Sequence, residues 1–266
     1  ETGIEIYFDP YLNRRQDYNP PPIRAEDIKK ADAVIATHGH FEHFWDAPQI
    51  VKQTGAKLIA SKEVIEYAVS KMGVPPDQAV AINADESTTV GEVEVVATKA
   101  RHRPTLEVLR FWFRDPQLTI KDRDHLIELW RKALEYEDII EFGFNVPSGP
   151  LQGYVLTTED GFRIWNVSET YPVEGLDVYS KKYRPQITLL SCMKGIEDET
   201  MEVLRAVRPR LTILYQFDMF HPKAPYYTSL AELWQRILKQ AYEEIPGIEV
   251  IVPVPGRPYR FDITWK

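Results

Sequence analysis

Ala31-Asp32-Ala33-Val34-Ile35-Ala36-Thr37-His38-Gly39-His40-Phe41-Glu42-His43 carries most of what this chain says about its architecture. Its first six residues form a short, mostly apolar run, the pattern of a buried strand. Three of the chain's six histidines then follow within six residues. They fall in the loop at the strand's end, where a rigid scaffold presents functional groups. In extended backbone, residues two apart point the same way, so His38 and His40 can hold one ion together. Neutral imidazole is a strong ligand for divalent transition metals. Glu42 and His43 lie where a helix begins and can face a second ion beside the first. His102 and His221 have similar settings: one follows the strand-like run Val93–Thr98, the other Leu211–Tyr215. His125 sits in a charged helical stretch and reads as a solvated surface residue.

The segment Thr37–His43 resembles the H-x-H-x-D-H signature of the metallo-β-lactamase superfamily, and the resemblance continues in order along the chain. Tyr7-Phe8-Asp9-Pro10 is similar to the Asp-Pro pair that ends an early strand. His102 matches the third histidine of a first metal site. Phe162–Thr170 resembles the strand that ends in a bridging aspartate, with Ser168-Glu169 where the family usually has Gly-Asp. His221 matches the last ligand. The finer likeness is to the branch containing ascorbate-phosphate lactonase and related small-molecule hydrolases. This resemblance implies an α/β fold of the αββα type, two mixed β-sheets packed between helices. It also implies that His38, His40 and His102 bind a first metal, that Glu42, His43 and His221 bind a second, and that Glu169 bridges them. Two positions depart from the pattern: Glu42 and Glu169 each stand where the family has aspartate, one methylene longer. The change is compatible with a two-metal centre of altered spacing, with one weak site, or with loss of the second metal.

A divalent metal held by three imidazoles leaves room for a water and lowers its pKa toward about 7. On the implied ligand set a bridging hydroxide attacks while the ions stabilise the oxyanion. Glu169 and Glu42 are then the catalytic carboxylates, with Glu42 either a ligand of the second ion or an unligated base. Histidine with carboxylate suits zinc, manganese or iron. Arg101, Arg103 and Lys194 are candidate contacts for an anionic substrate, since arginine grips carboxylate or phosphate. On an extended strand, however, Arg101 and Arg103 point away from the face that His102 uses. The expected activity is hydrolysis of a small molecule, a lactone or a phosphorylated ester. The alternatives are a phosphodiesterase and a non-catalytic metal-binding relative.

Totals narrow the classes further. With 266 residues and 44% hydrophobic content, the chain can bury a substantial core as one domain. A net charge of −8 argues against a nucleic-acid surface. No apolar run reaches the length of a membrane span. One cysteine, Cys192, forms no internal disulfide and suits a reducing, cytoplasmic setting, with a buried packing role expected. The chain enters a strand at Ile4 almost at once, and family members have another strand before this point, so a missing N-terminal segment is expected.

Residues 1–266 read as a single domain with a mainly helical insertion at about 104–150. Helices are expected over Ala47–Thr54 and Lys62–Met72, the latter capped by Ser61 and ended by Gly73. Thr157-Thr158-Glu159-Asp160-Gly161 predicts a hairpin between Gly153–Leu156 and Phe162–Val167. Strands at Ile187–Leu190 and Leu211–Tyr215 flank a helix near Asp198–Ala206. A longer helix follows at about Ser229–Glu244, then strands Ile248–Val252 and Tyr259–Ile263. Within the insertion, Leu118–Ile140 has the spacing of one amphipathic helix, either packed on the domain surface or serving as a lid or a homo-oligomer contact through Trp130.

Overall fold

A computed structural model describes residues 3–13, 21–134, 136–169, 175–192, 197–216 and 230–261, with the backbone alone for 230–234. Eleven strands form two sheets among the described residues. The first contains β1 (Ile6–Phe8), β2 (Ala33–Ile35), β3 (Lys57–Ala60) and β4 (Ala79–Ala81), in that order. Every described pairing in it is parallel. The second contains β5 (Ser87–Val90), β6 (Val93–Lys99), β7 (Gln152–Thr157), β8 (Arg163–Ser168), β9 (Ile187–Ser191), β10 (Leu211–Tyr215) and β11 (Glu249–Ile251). Its order is β11-β10-β9-β8-β7-β6-β5, antiparallel from β5 to β8 and parallel from β8 to β11. Only this larger sheet is therefore mixed among the described strands.

The apolar run at β2 explains the layering. Ala33 and Ile35, with Ile59 of the neighbouring β3, face the other sheet and meet Val95, Ala97, Tyr154 and Leu156 there. Val34 and Ala36 point the opposite way, onto helices α2 (Ala47–Thr54) and α3 (Lys62–Met72), against Ile50, Val51 and Val64. Both faces of the strand are covered, so it needs no polar alternation. On the far side of the larger sheet, Trp165 and Leu190 pack beneath α7 (Leu176–Tyr183), α8 (Glu197–Val207) and α9 (Leu230–Glu244). The result is helices, sheet, sheet, helices. Because β7 runs antiparallel to both β6 and β8, the carboxyl ends of β6 and β8 lie at the same edge.

The predicted hairpin forms as β7 and β8, with Gly161 at φ 82°. Ser61 takes the N-cap position of α3, but its hydroxyl makes no capping hydrogen bond, and Gly73 ends the helix at φ 67°. The single amphipathic helix expected at Leu118–Ile140 is instead two, α5 (Arg123–Leu134) and α6 (Glu137–Asn145), preceded by α4 (Thr105–Phe113). Extended backbone at Tyr136 interrupts the run. The final expected strand does not form over Tyr259–Phe261, and its remaining residues lie outside those described.

Candidate metal centre

The site lies where several strands end together, at the edge shared by both sheets. Asp9 follows β1 with φ 45°. Its carboxylate accepts the Thr37 backbone N–H at 2.7 Å and the Thr37 hydroxyl at 2.9 Å. Those bonds anchor the loop that follows β2. Gly39 donates its N–H to the Ser148 carbonyl at 2.8 Å, and a Cβ built on Gly39 would lie 2.1 Å from the Pro147 carbonyl oxygen. The requirement for glycine at the centre of the histidine motif is therefore close backbone approach. His40 precedes the single-turn helix α1 (Phe41–Phe44), which carries Glu42 and His43.

His38, His40, His102 and Glu169 come together, with one donor atom from each lying within 4.8 Å of the others. The His38 and His40 ring centroids are 4.4 Å apart, and His40 and His102 4.7 Å. His102, just beyond β6, hydrogen-bonds the Arg103 carbonyl through Nδ1 at 2.7 Å, which turns its Nε2 toward Glu169. The Nε2–Oε1 separation is 2.6 Å. Glu169 leaves β8 through Ser168, whose φ is 68°.

Electrostatics divides the histidines. Burial holds His38 well below the usual imidazole value and lowers His40 to about 3. Burial opposes charge on His102 too, but the hydrogen bond and charge of Glu169 outweigh it and raise the ring to about 9. Glu169 is reciprocally held well below the carboxylate range: burial would raise it, and His102 and His43 overcome that. His43, also buried, is raised well above the usual value by Asp9 and Glu169. Burial raises Glu42.

The arrangement fits a metal ion. His38 Nε2 is buried without a hydrogen-bond partner, 3.7 Å from Glu169 Oε1. An orphaned imidazole nitrogen facing a carboxylate and two further imidazoles is the donor set of a first-row transition metal. Glu42 does not belong to this four-donor set, although its Oε2 is likewise buried and unpartnered. His43 stands behind it, with Nδ1 3.0 Å from Asp9 Oδ2 and Nε2 3.6 Å from Glu169 Oε2. His221 and Lys194 lie outside the described residues. Arg103 is paired with Glu199 at 3.1 Å, and Arg101 is exposed. Sequence reading passed over Gln216, whose amide nitrogen is 2.9 Å from Glu169 Oε2 and 3.1 Å from His43 Nε2. Its one sequence signal is a polar residue immediately after the strand Leu211–Tyr215.

A family model described as "Beta-lactamase superfamily domain" matches residues 5–119. A metal-dependent hydrolase of Rubrobacter xylanophilus is 24% identical over 254 residues, covering 96% of this chain and 88% of that protein. Among solved structures, a metallo hydrolase from the archaeon Ignicoccus hospitalis superposes with a TM-score of 0.65 at 17% identity, covering 98% and 92% of the two chains. An isothiocyanate hydrolase from Delia radicum gut bacteria gives 0.62 at 17% identity, covering 98% and 94%. The two-sheet layering is shared with these structures, and relatives align along almost the whole length. The histidine motif falls inside the matched residues. On this combined ground the chain is similar to the beta-lactamase superfamily, through the family model over residues 5–119 and through its two-sheet fold.

Proposed function

We propose that this protein is a metal-dependent hydrolase of a small molecule, with a lactone or a phosphorylated ester as its substrate class. The observation that carries the reading is the unpartnered, buried Nε2 of His38 within reach of His40, His102 and Glu169. These four residues would hold a divalent zinc, manganese or iron ion. When bound, such an ion supplies Lewis acidity toward a carbonyl or phosphoryl oxygen and acidifies water. The protein's own part is to position and to shield. Asp9 fixes the loop through Thr37 and orients His43. Gln216 holds one oxygen of Glu169 while the other faces the imidazoles. Glu42, its carboxyl buried and its pKa raised by that burial, is either a further ligand or the group that takes up a proton. Glu42→Gln separates the two roles: loss of bound metal marks a ligand, and retained metal with a lost rate marks a base.

The test begins with elemental analysis of protein purified without chelator. A screen of lactones, phosphorylated esters, phosphodiesters and isothiocyanates follows, with the metal so identified. Turnover that a chelator abolishes is the expected result. Full metal loading without turnover on any of these classes would instead favour a non-catalytic metal-binding relative.

A further inference from the structure

Gln216 follows β10 with φ 61°, a left-handed conformation that is uncommon for a residue with a side chain. Its amide is held at both ends. Oε1 accepts the Ser191 hydroxyl at 2.7 Å, which settles which end of the amide faces the histidines. Nε2 donates to Glu169 Oε2 at 2.9 Å and lies 3.1 Å from His43 Nε2. The other nitrogen of His43 is 3.0 Å from Asp9 Oδ2. Both ring nitrogens of His43 therefore face protein groups, and so does the second oxygen of Glu169.

The two oxygens of Glu169 thus differ. Oε1 looks toward His102 at 2.6 Å and the unpartnered His38 Nε2 at 3.7 Å. Oε2 looks toward an amide donor and a histidine that already has partners. A second cation between Glu169 Oε2 and His43 Nε2, themselves 3.6 Å apart, would need bonds of about 2.0–2.2 Å to each. It would meet the positive end of the Gln216 amide dipole aimed at the same two atoms.

We propose that the centre takes one divalent ion per chain, at His38, His40, His102 and Glu169, and that Gln216 withholds the second position by donating to Glu169 Oε2 and placing its amide nitrogen 3.1 Å from His43 Nε2. Gln216 is a positioning residue, acting through Glu169. The inference rests on the metal-dependent reading above.

Metal-free protein is titrated with manganese(II), followed by calorimetry and electron paramagnetic resonance, with elemental analysis of the saturated sample. The expected result is one ion per chain with the spectrum of an isolated manganese ion. Gln216→Glu keeps the side chain's size but replaces the donor with a carboxylate, and it is expected to raise the stoichiometry to two and give an exchange-coupled spectrum. If circular dichroism shows that this variant is unfolded, Gln216→Ala decides, since it removes the donor and adds no charge. One ion in whichever folded variant is read overturns the role given to Gln216. Two ions in the unaltered protein overturn the proposal and leave the hydrolase reading standing. No ion at saturating metal overturns both.

Discussion

Proton inventory is the first thing the geometry fixes at the level of single residues. His38 and His40 are kept neutral by burial, so their nitrogens are available as ligands at pH 7. His102 is not: with its pKa at about 9 it keeps a proton that Glu169 accepts in hydrogen bonding. That proton supplies the positive charge the buried carboxylate needs, and a metal ion must displace it. Metal uptake should therefore release a proton, and apparent affinity should rise by about tenfold per pH unit between roughly 6 and 8. Calorimetry in two buffers of different ionisation heat measures the release; an affinity flat with pH would count against the Glu169–His102 pairing. Cys192 gives a separate prediction. Burial pushes its thiol up to about 12, so alkylation of the folded protein should be far slower than in denaturant. The sign for stability follows. The neutral thiol favours the folded state fully below the unfolded value of about 8.5, and that contribution is lost as pH rises toward the folded value. The sequence showed the histidines plainly because clustering is local, whereas Gln216 and Ser191 reach the site only through strand ends that meet in space.

At the level of elements, two glycines separate backbone packing from helix propensity. Gly39 is pressed against the Pro147 carbonyl, so Gly39→Ala must shift one of the two loops. It is expected to destabilise by about 1–3 kcal/mol and to weaken metal binding with it. Gly143 lies exposed within α6 with nothing within 4 Å of a built Cβ. Gly143→Ala should raise stability by about 0.5–1 kcal/mol, because alanine loses less backbone freedom in a helix. Thermal melts of the two variants should move in opposite directions. The α2, α3, β7 and β8 segments were readable because periodicity and turn residues are encoded within a dozen positions. The division of the insertion into α4, α5 and α6 was not. Apolar residues at near-helical spacing run across the junction at Tyr136, and the break lies in backbone conformation rather than in that pattern.

Across the whole molecule, the insertion and the metal loop share a core. Phe41, between His40 and Glu42, packs with Leu134, Ile139, Ile140 and Trp130 of the insertion helices, and edge-on to Tyr11 at 5.6 Å. Trp45 stacks on Phe142 at 4.8 Å. Phe41→Ala should therefore lower both the melting temperature and metal affinity, while a surface change such as Lys132→Ala should alter neither. Sheet order and the convergence of strand ends are global properties; the family resemblance implied their outline, and hydrophobic periodicity alone could not.

The donors of the proposed site come from residues 38, 40, 102 and 169, in loops that follow strands of both sheets. No fragment ending before residue 169 carries the set. A chain leaving the ribosome amino end first has its histidine motif early but gains the carboxylate only once β8 has been synthesised and paired. An ion held by all four donors would add its binding free energy to the stability of the assembled sheets by mass action.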